Sequence, residues 1–514
     1  MQLDVNRSDL TVGIIGAGAM GRGIAQVAAA GGMQVLITDS RDGAAQEARD
    51  FVDKLLARAA EKGSMTKDAA AAATARIKVV SGLAEFKSCH LVIEAIVENL
   101  EVKRALFAEL EGIVAPGCIL ASNTSSLSIT TIAAKLKSPE RFAGMHFFNP
   151  VPLMKLVEVI SGLRTEKWVF DALMAIGRRM TREPVGLTDA PGFLVNQVGR
   201  GFTLEASHLV YDGVSNFPDV DRVMRDVGGF RMGPFELMEL TGLDVTQPAS
   251  EAVYTQFFHE PRYRPNLIMR SRYDAGVLGR KTKKGFYDYD ADMKPIVAPE
   301  PAAPTAWPAS VWVSMAEASG HAALTELLKK LGAPLETGAR PSAAALILVT
   351  PLGEDATTCA VEQELDPKRT VAVDTLFPLL KRRTLMGTPL TDPVFRDAAH
   401  ALLASDGVAV TVCRDSPGFI AQRIVAMIVN IGCSIAQSRT ATPADIDKAV
   451  TLGLNYPKGP FGFADALGVG RIYAILAAMQ RIYGDPRYRP NIWLTRRAKL
   501  GVSALTKEPR MIPA

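Results

Sequence analysis

The sequence predicts an α/β protein: an N-terminal Rossmann-type, doubly wound parallel sheet, then an all-helical domain, then a degenerate Rossmann-like segment and a second helical domain. Three observations support this fold class: a glycine-rich turn between an apolar run and a helical stretch, short apolar runs that alternate with helical stretches up to residue 190, and motifs that recur in the second half. With 514 residues, 48% apolar and 22% charged, the chain has a globular composition and room for about three domains. Extensive disorder is excluded.

Charge and composition exclude several classes of function. The net charge of +4 is a weak excess over 514 residues, so we expect no nucleic-acid partner, although an anionic small ligand is compatible with it. No uncharged apolar run reaches the roughly 20 residues that a bilayer span needs, and no secretory signal is visible, so we expect no membrane partner and a cytoplasmic location. The five cysteines include no CxxC pair and the six histidines no HxxxH pair, which predicts reduced thiols and no metal site.

The glycine-rich turn predicts dinucleotide binding. It joins a β-branched run at residues 10–15 to a helical stretch at 23–30 and reads Gly16-Ala17-Gly18-Ala19-Met20-Gly21. In this GxGxxG spacing, Gly16 permits a tight turn, Gly18 lets the backbone approach a pyrophosphate, and Gly21 allows close packing of helix and strand. The helix N-terminus then offers N–H groups to the phosphates. The alternative is a glycine-rich turn without a ligand, and the surrounding strand and helix argue against it.

An acidic residue indicates which dinucleotide binds. The second apolar run ends at Asp39, which is 18 residues after Gly21 (39 − 21 = 18). A carboxylate at this place accepts both ribose hydroxyls of NAD and repels a 2′-phosphate. Arg41 is a mild signal for NADP. We therefore predict NAD as the cofactor.

A helical stretch at residues 42–62 carries a basic face. Lys54, Arg58 and Lys62 are spaced four residues apart and share that face. The face is either simply solvated or a cationic stripe for an anionic ligand.

Two residues of the next part of the chain predict a general base. His146 follows an apolar stretch and precedes two aromatic residues, and Glu158 lies inside the apolar run at residues 156–160. A carboxylate in such a run is costly unless it has a partner. A His–Glu pair supplies that partner and is also the dyad that a general base needs. A lone histidine is otherwise more often a core residue.

With these motifs in hand, the sequence resembles the L-3-hydroxyacyl-CoA dehydrogenase family, which includes 3-hydroxybutyryl-CoA dehydrogenases. The matching stretches cover about residues 10–290 and read GIIGAGAMGRGIA, VIEAIVENLEVK, ASNTSSLSIT, GMHFFNPVPLMKLVEVI, DAPGFLVNQ and GRKTKKGFYDY. The resemblance implies NAD-dependent oxidation of a (S)-3-hydroxyacyl-CoA, and the reverse reaction, in fatty acid or aromatic acid degradation. It also implies that helical domains pair, either in a homodimer or as a pseudo-dimer within one chain.

The resemblance also implies the site residues. The catalytic set would be Ser125, His146, Glu158 and Asn196. The NAD site would be lined by the glycine turn and by Asp39, Glu98, Lys103, Ser125, Asn149 and Lys281. The acyl-CoA substrate would be bound by Lys54, Arg58, Ser125 and Asn196.

The second half is predicted to be an inactive copy. DAPGF at residues 189–193 recurs as DSPGF at 415–419, an offset of 226 (415 − 189 = 226), and three further motifs recur at offsets of 226, 226 and 225. At the positions of Asn196, His146 and Glu158 we expect Gln422, Asp374 and Met386, and no glycine-rich loop is present. The predicted domains are 1–188 (NAD-binding), 189–290 (helical), 291–308 (Pro-rich extended linker), 309–412 (degenerate Rossmann-like) and 413–514 (second helical).

Three alternatives stay open. The tail resembles that of 3-hydroxyadipyl-CoA dehydrogenases, but it does not fix the acyl group. Another Rossmann 3-hydroxyacid dehydrogenase is a second alternative, although many of those rely on a catalytic lysine. A dormant NAD-binding structural protein is the third, and the complete set of four residues argues against it.

Overall fold

The structure is a computed structural model that describes residues 3–508, so the predicted chain ends at 1 and 514 lie outside the described residues. The chain forms two compact units. The first holds the residues up to Asn196 together with Ser438–Leu454. The second holds Gln197–Gln437 and the residues from Asn455 onward. The short return of residues 438–454 to the first unit was not predicted from the sequence.

The first unit is built on an eight-stranded sheet in the order β3-β2-β1-β4-β5-β6-β7-β8. Its strands are β1 (Thr11–Ile15), β2 (Gln34–Thr38), β3 (Ile77–Val79), β4 (Leu91–Glu94), β5 (Ile119–Ser122), β6 (Phe142–Phe147), β7 (Leu156–Ser161) and β8 (Glu183–Thr188). β1 to β6 are parallel, which confirms the predicted Rossmann-type sheet. β7 runs antiparallel to β6, because the eight residues between them, 148–155, are too few for a crossover helix.

Helices cover this sheet and bury its apolar strands. They are α1 (Ala19–Ala30), α2 (Ala44–Glu61), α3 (Lys67–Ala75), α4 (Leu100–Ile113), α5 (Ile129–Ala133) and α6 (Lys167–Arg179). β4 and β5 are buried along their whole length, as expected for central strands with helices on both faces. α2 begins two residues after the predicted start of the basic helix and ends one residue before its predicted end.

The second unit contains two sets of helices related by the predicted offset. The first set is α7 (Val195–Tyr211), α8 (Phe217–Asp226), α9 (Pro234–Thr241), α10 (Leu243–Gln256) and α11 (Leu267–Asp274), of which α7 begins at the end of the first unit. The second set includes α15 (Ala421–Gln437), α17 (Pro460–Leu467), α18 (Val469–Tyr483) and α19 (Ile492–Leu500). α15 starts 226 residues after α7 (421 − 195 = 226).

A smaller sheet lies between the two sets of helices in the sequence. Its five strands, in the order β11-β12-β13-β14-β15, are β11 (Val311–Val313), β12 (Leu346–Val349), β13 (Thr370–Val373), β14 (Arg382–Gly387) and β15 (Ala409–Cys413). Three helices accompany them: α12 (Ala318–Lys330), α13 (Ala356–Glu362) and α14 (Pro393–Ala404). The antiparallel pairing of β13 with β14 repeats that of β6 with β7, so this is the expected degenerate Rossmann-like segment.

The Pro-rich segment before this sheet is extended but anchored. A two-stranded ribbon of β9 (Asp288–Tyr289) and β10 (Pro295–Ile296) precedes it. Glu300 accepts hydrogen bonds of 2.8 Å from the Arg382 guanidinium, and Arg222 donates to the Ala298 carbonyl oxygen at 3.0 Å. These contacts hold the segment against the rest of the second unit.

α16 (Pro443–Gly453) is the part of the second set of helices that joins the first unit. It packs on β7 and β8. The Thr188 N–H donates to the Thr440 carbonyl oxygen at 2.9 Å, just before the helix, and Lys448 lies 3.6 Å from Glu183. An added Cβ at Gly453 would lie 2.9 Å from both Leu156 and Val195.

No single helix within residues 3–508 is long and apolar enough to cross a membrane, while α17 and α18, bent by 100° at the break between them, meet that criterion of length and composition as a pair.

Candidate active site

The glycine turn after β1 is shaped as a cradle for a phosphate group. Gly16 has φ +98° and approaches the Ala95 carbonyl oxygen, where a Cβ would lie 2.5 Å from it. A Cβ at Gly21 would overlap the Gly16 carbonyl oxygen, so only glycine allows this packing of α1 on β1. By contrast, a Cβ at Gly18 would meet no atom within 4 Å, and Gly18 caps α1 without a side-chain hydrogen bond. The N-terminus of α1, including Ala19, Met20 and Gly21, is therefore arranged to receive a pyrophosphate.

Asp39 lies beside this turn, at the carboxyl end of β2. Its carboxylate accepts hydrogen bonds from the Ala17 N–H at 2.6 Å and from the Arg41 N–H at 2.9 Å. The Arg41 guanidinium points instead to Glu47, at 2.5 Å, so it is engaged in an exposed ion pair. The carboxylate thus stands where it can meet the ribose next to the phosphate cradle.

Glu98 organises the loop that carries Ser125. Its Oε1 accepts hydrogen bonds from the Thr124 hydroxyl at 2.6 Å and from the N–H groups of Ser125 and Ser126 at 2.9 and 3.1 Å. Burial raises the pKa of Glu98, but the Thr124 hydroxyl and the Lys103 ammonium outweigh it, so this pKa lies below its usual value. Glu98 therefore stays ionised and fixes the loop while the Ser125 side chain remains exposed.

Lys103 lies behind this loop and does not line an open site. Its side chain is 1% exposed and pairs with Glu94 at 2.5 Å and with Glu98 at 3.3 Å. Glu94 also accepts a hydrogen bond from the Ser122 hydroxyl at 2.7 Å. The sequence analysis missed Glu94, although a carboxylate at the end of an apolar strand is the signal that drew attention to Glu158. Lys103 can reach a ligand only through Glu98.

His146 and Glu158 form a buried pair. They lie opposite each other on the antiparallel strands β6 and β7, and His146 Nδ1 is 2.7 Å from Glu158 Oε2. Glu158 is fully buried and the His146 residue is 5% exposed. The rings of Phe148 and Phe193 lie 4.5 and 5.6 Å from the imidazole ring, measured between centroids. The imidazole is thus held in orientation by one carboxylate and two aromatic rings.

The same carboxylate holds the start of α7. Glu158 Oε1 accepts hydrogen bonds from the Leu194 N–H at 2.9 Å and the Val195 N–H at 3.0 Å. These are N–H groups that a helix N-terminus otherwise leaves unsatisfied. Asn196 is the second residue of α7, so Glu158 ties the position of Asn196 to that of His146.

The other predicted ligand residues are distributed over both units. Asn149 is exposed and follows β6 in the first unit. Lys54 and Arg58 are exposed on α2, also in the first unit. Lys281 belongs to the second unit, where its ammonium pairs with Asp244 at 2.5 and 2.8 Å.

The second copy brings together different residues from those of the first. Asp374 is the counterpart of His146, and Gln422 donates to its carboxylate at 2.9 Å. The strand register places Thr384, not Met386, opposite Asp374, and the Asp374 N–H donates to the Thr384 carbonyl oxygen at 3.0 Å. The expected match with Met386 is therefore wrong, because this hairpin is two residues shorter than that of His146 and Glu158. Burial raises the pKa of Asp374.

The counterpart of the phosphate cradle is closed by a side chain. α12 follows β11 as α1 follows β1, but it begins at Glu317. The Glu317 carboxylate accepts hydrogen bonds from the N–H groups of Ser319 and Gly320. A carboxylate of the chain itself therefore takes the N–H groups that α1 offers to a ligand.

Within residues 3–508 no three His, Cys, Asp or Glu side chains are grouped so that they could hold a metal ion. All five cysteines are buried and free.

Comparison with known proteins places the chain among dehydrogenases. The family model "3-hydroxyacyl-CoA dehydrogenase, NAD binding domain" matches residues 11–190. The model "3-hydroxyacyl-CoA dehydrogenase, C-terminal domain" matches residues 192–289 and again 418–508, which confirms the predicted duplication of the helical domain.

Individual relatives agree with these matches. A protein of Escherichia coli named 3-hydroxyadipyl-CoA dehydrogenase is 36% identical over 491 residues, 95% of this chain and 98% of the relative. A Bacillus subtilis protein named probable 3-hydroxybutyryl-CoA dehydrogenase is 42% identical over 277 residues, 54% of this chain and 96% of the relative.

A crystal structure of 3-hydroxybutyryl-CoA dehydrogenase from Escherichia coli superimposes with a TM-score of 0.84 at 35% identity and covers 96% of this chain and 99% of its own. Both family models and a relative of nearly equal length therefore lead to one assignment: the chain belongs to the 3-hydroxyacyl-CoA dehydrogenase family and carries its NAD-binding domain.

Proposed function

We propose that this chain oxidises a (S)-3-hydroxyacyl-CoA to the 3-ketoacyl-CoA with NAD, and catalyses the reverse reaction, with His146 as the general acid–base group. The observation that carries the proposal is the buried pair of His146 and Glu158, with Nδ1 and Oε2 2.7 Å apart. A histidine oriented through Nδ1 presents Nε2 to a substrate hydroxyl. Family membership supplies the reaction class.

In oxidation, His146 Nε2 takes the proton of the C3 hydroxyl. NAD, when bound, accepts the hydride that leaves C3. Glu158 keeps the Nδ1–H tautomer and stabilises the imidazolium that forms. In the reverse direction the same imidazolium returns its proton to the C3 oxygen, which suits a group that titrates near neutral pH.

Ser125 and Asn196 hold the substrate oxygens. The exposed Ser125 hydroxyl is presented by a loop fixed on Glu98, and Asn196 starts a helix fixed on Glu158. Each group is thus attached to a buried or partly buried carboxylate that limits its movement. Such positioning lowers the barrier because the reacting groups are held in place before the reaction.

The glycine turn and Asp39 bind the adenosine half of NAD. We assign the pyrophosphate to the N–H groups at the start of α1 and the ribose hydroxyls to the Asp39 carboxylate. Glu98, Asn149 and Lys281 are proposed to line the remainder of the NAD site, and Lys103 to act through Glu98. The short Asp39 contact with Ala17, 2.6 Å, couples the ribose site to the phosphate turn.

The CoA phosphates are assigned to Lys54 and Arg58 on α2. Both side chains are exposed. Exposed cations attract a polyanionic substrate at long range, and they retain flexible contacts with it after binding.

We propose one NAD site and one acyl-CoA site per chain, with a structural role for the second half. In the second unit the two sets of helices pack closely: a Cβ at Gly201 on α7 would lie 3.0 Å from the Ile428 Cα on α15. Glu205 on α7 accepts a buried ion-pair hydrogen bond from Arg423 on α15. These contacts support a pseudo-dimer within one chain in place of a homodimer.

α16 is the part of the second half that reaches the catalytic strand. It lies against β7, and Gly453 packs on Leu156 and Val195, which flank Glu158 in sequence and in hydrogen bonding. We propose that α16 braces the strand and the helix start that Glu158 connects.

The acyl group is open between short monocarboxylic chains and a dicarboxylic chain. The long relative of Escherichia coli is named for the dicarboxylic hydroxyadipyl group, and the Bacillus subtilis relative for the hydroxybutyryl group. We further propose a cytoplasmic location, because all five thiols are buried and reduced.

The proposal is tested by following NADH absorbance with acetoacetyl-CoA as the substrate. Consumption of NADH, and its loss in His146→Ala, is the expected result. A protein that binds NADH but turns over no 3-ketoacyl-CoA of any chain length is a structural NAD-binding protein. Turnover that survives in His146→Ala indicates another hydroxyacid dehydrogenase mechanism.

A further inference from the structure

Arg200 is a buried cation one turn beyond Asn196. The two residues are four positions apart in the continuous helix α7, so they share one face of it. Long side chains in a helix lean toward its N-terminus, which here is the direction of Asn196. The catalytic mechanism described above makes no use of this arginine.

The surroundings of Arg200 are polar but uncharged where hydrogen bonds define them. Its Nη1 donates to the Ser250 hydroxyl at 2.6 Å and to the Thr246 carbonyl oxygen at 3.3 Å, both on α10. Burial lowers the pKa of Arg200 to about 10, against the effect of the Tyr456 hydroxyl. The guanidinium is therefore still charged at neutral pH, and the residue is 8% exposed.

The second copy lacks this cation. At the same offset of 226 residues, Asn196 corresponds to Gln422 and Arg200 to Ala426, both on α15. Arg200 is therefore present in the helix that carries the complete catalytic set, and the inactive copy carries only a methyl group there. A purely structural arginine between these helices would serve both copies equally.

We propose that Arg200 binds the terminal carboxylate of a dicarboxylic acyl group, and so makes a six-carbon dicarboxylic 3-hydroxyacyl-CoA the preferred substrate. The inference rests on the proposed function, because it places the C3 oxygen at Asn196. A guanidinium pairs with a carboxylate through two parallel N–H donors, and the pair is strong where water is excluded. Thr246 and Ser250 hold the guanidinium in position for it.

The length of the helix turn fits this chain length. Four residues of α-helix rise about 6 Å, and the lean of the arginine toward the N-terminus shortens the distance that a ligand must cover. In an extended acyl chain, a carboxyl carbon three C–C bonds beyond C3 lies about 4 Å from it. A six-carbon dicarboxylic group therefore reaches Arg200, whereas a four-carbon group ends before it.

The test compares two substrates with the same six-carbon chain, 3-hydroxyadipyl-CoA and 3-hydroxyhexanoyl-CoA. In the wild-type protein we expect kcat/KM to favour the dicarboxylic substrate by about 30-fold or more, the usual value of a buried charge pair. In Arg200→Met this ratio collapses to about one or below, and Arg200→Lys retains part of it, because lysine keeps the charge but loses the bidentate geometry. The matched control is Arg262→Met, another buried arginine of the second unit, which leaves the ratio unchanged.

A second measurement needs no variant and covers the case in which Arg200→Met does not fold. Adipyl-CoA and hexanoyl-CoA, which lack the reacting hydroxyl, compete with the substrate on the wild-type protein. We expect adipyl-CoA to inhibit at a concentration at least about 30-fold lower. Equal inhibition, or an equal loss of both activities in Arg200→Met with an unchanged ratio, overturns the assignment of Arg200. A wild-type protein that oxidises neither substrate refutes the proposed function instead.

Discussion

Replacement of Glu158 by glutamine isolates its effect on the tautomer of His146. Glutamine has the same shape, but it offers one oxygen and one NH₂ group. The N–H groups of Leu194 and Val195 both donate to Oε1, at 2.9 and 3.0 Å. The amide oxygen must therefore take that side, because the opposite orientation would bury donors against donors at about 1–3 kcal/mol each.

With its oxygen on α7, the amide presents its NH₂ group to His146 Nδ1, 2.7 Å away in the wild type. Nδ1 must then accept, so the ring proton moves to Nε2, and Nε2 can no longer take the substrate proton. The expected loss in kcat is on the order of 10²–10⁴, the usual value of a positioned acid–base group in the wrong tautomer. This corresponds to about 3–5 kcal/mol in activation free energy.

The assay is the rate of NADH consumption with saturating acetoacetyl-CoA, together with the dissociation constant of NADH and the melting temperature. Glu158→Gln should retain both of the latter. Glu158→Ala should lower the melting temperature as well, because it leaves two buried N–H groups without an acceptor. Glu166→Gln, an exposed glutamate of the same unit, is the control and should behave as the wild type. A Glu158→Gln variant with kcat close to that of the wild type would refute the role of the tautomer.

Three further predictions concern the cofactor, the brace and acid stability. Asp39→Ser should raise kcat/KM with NADP relative to NAD by about 10-fold or more, because a repelling charge is removed; steady-state kinetics with both cofactors decides, and an unchanged ratio contradicts the assignment. Gly453→Val should lower kcat roughly 10- to 100-fold by pushing Leu156 and Val195, which lie 2.9 Å from an added Cβ, while NADH binding persists; wild-type turnover would remove the brace from the account. His208 has a pKa lowered to about 4, first by burial and then by Arg487, so the unfolded chain binds a proton that the folded chain does not, and stability falls by about 2 kcal/mol from about pH 7 to about pH 5. His208→Gln should reduce that loss, as measured by thermal unfolding at both pH values, and an equal loss in the variant speaks against it.

The parts of the site that follow from local pattern could be predicted from the sequence. The glycine turn is such a part, because strand, turn and helix are consecutive. The His146–Glu158 pair is another, because a carboxylate in an apolar strand requires a partner and the connection between the two strands is short. The parallel order of β1 to β6 also follows from the alternation of strands and helices.

What could not be predicted depends on register and on long-range packing. Met386 was aligned with Glu158 at the offset that fits Asp374, but the hairpin is two residues shorter and the register places Thr384 there. Lys103 was expected to line the NAD site, yet it is buried between Glu94 and Glu98, because its helix faces the strand end from which Glu94 projects.

The return of α16 to the first unit is a contact over more than 200 residues, and no local pattern carries it. The anchoring of the Pro-rich segment was also not predicted, because the partner of Glu300, Arg382, lies in a strand 82 residues later. Both features depend on how distant parts of the chain pack, which composition and periodicity do not reveal.

The most direct test of the central claim is the turnover of His146→Ala with acetoacetyl-CoA and NADH. The account predicts that kcat falls by roughly 10²–10⁴ while NADH binds with unchanged affinity and a stoichiometry of one per chain. Near-wild-type turnover in this variant would contradict the account.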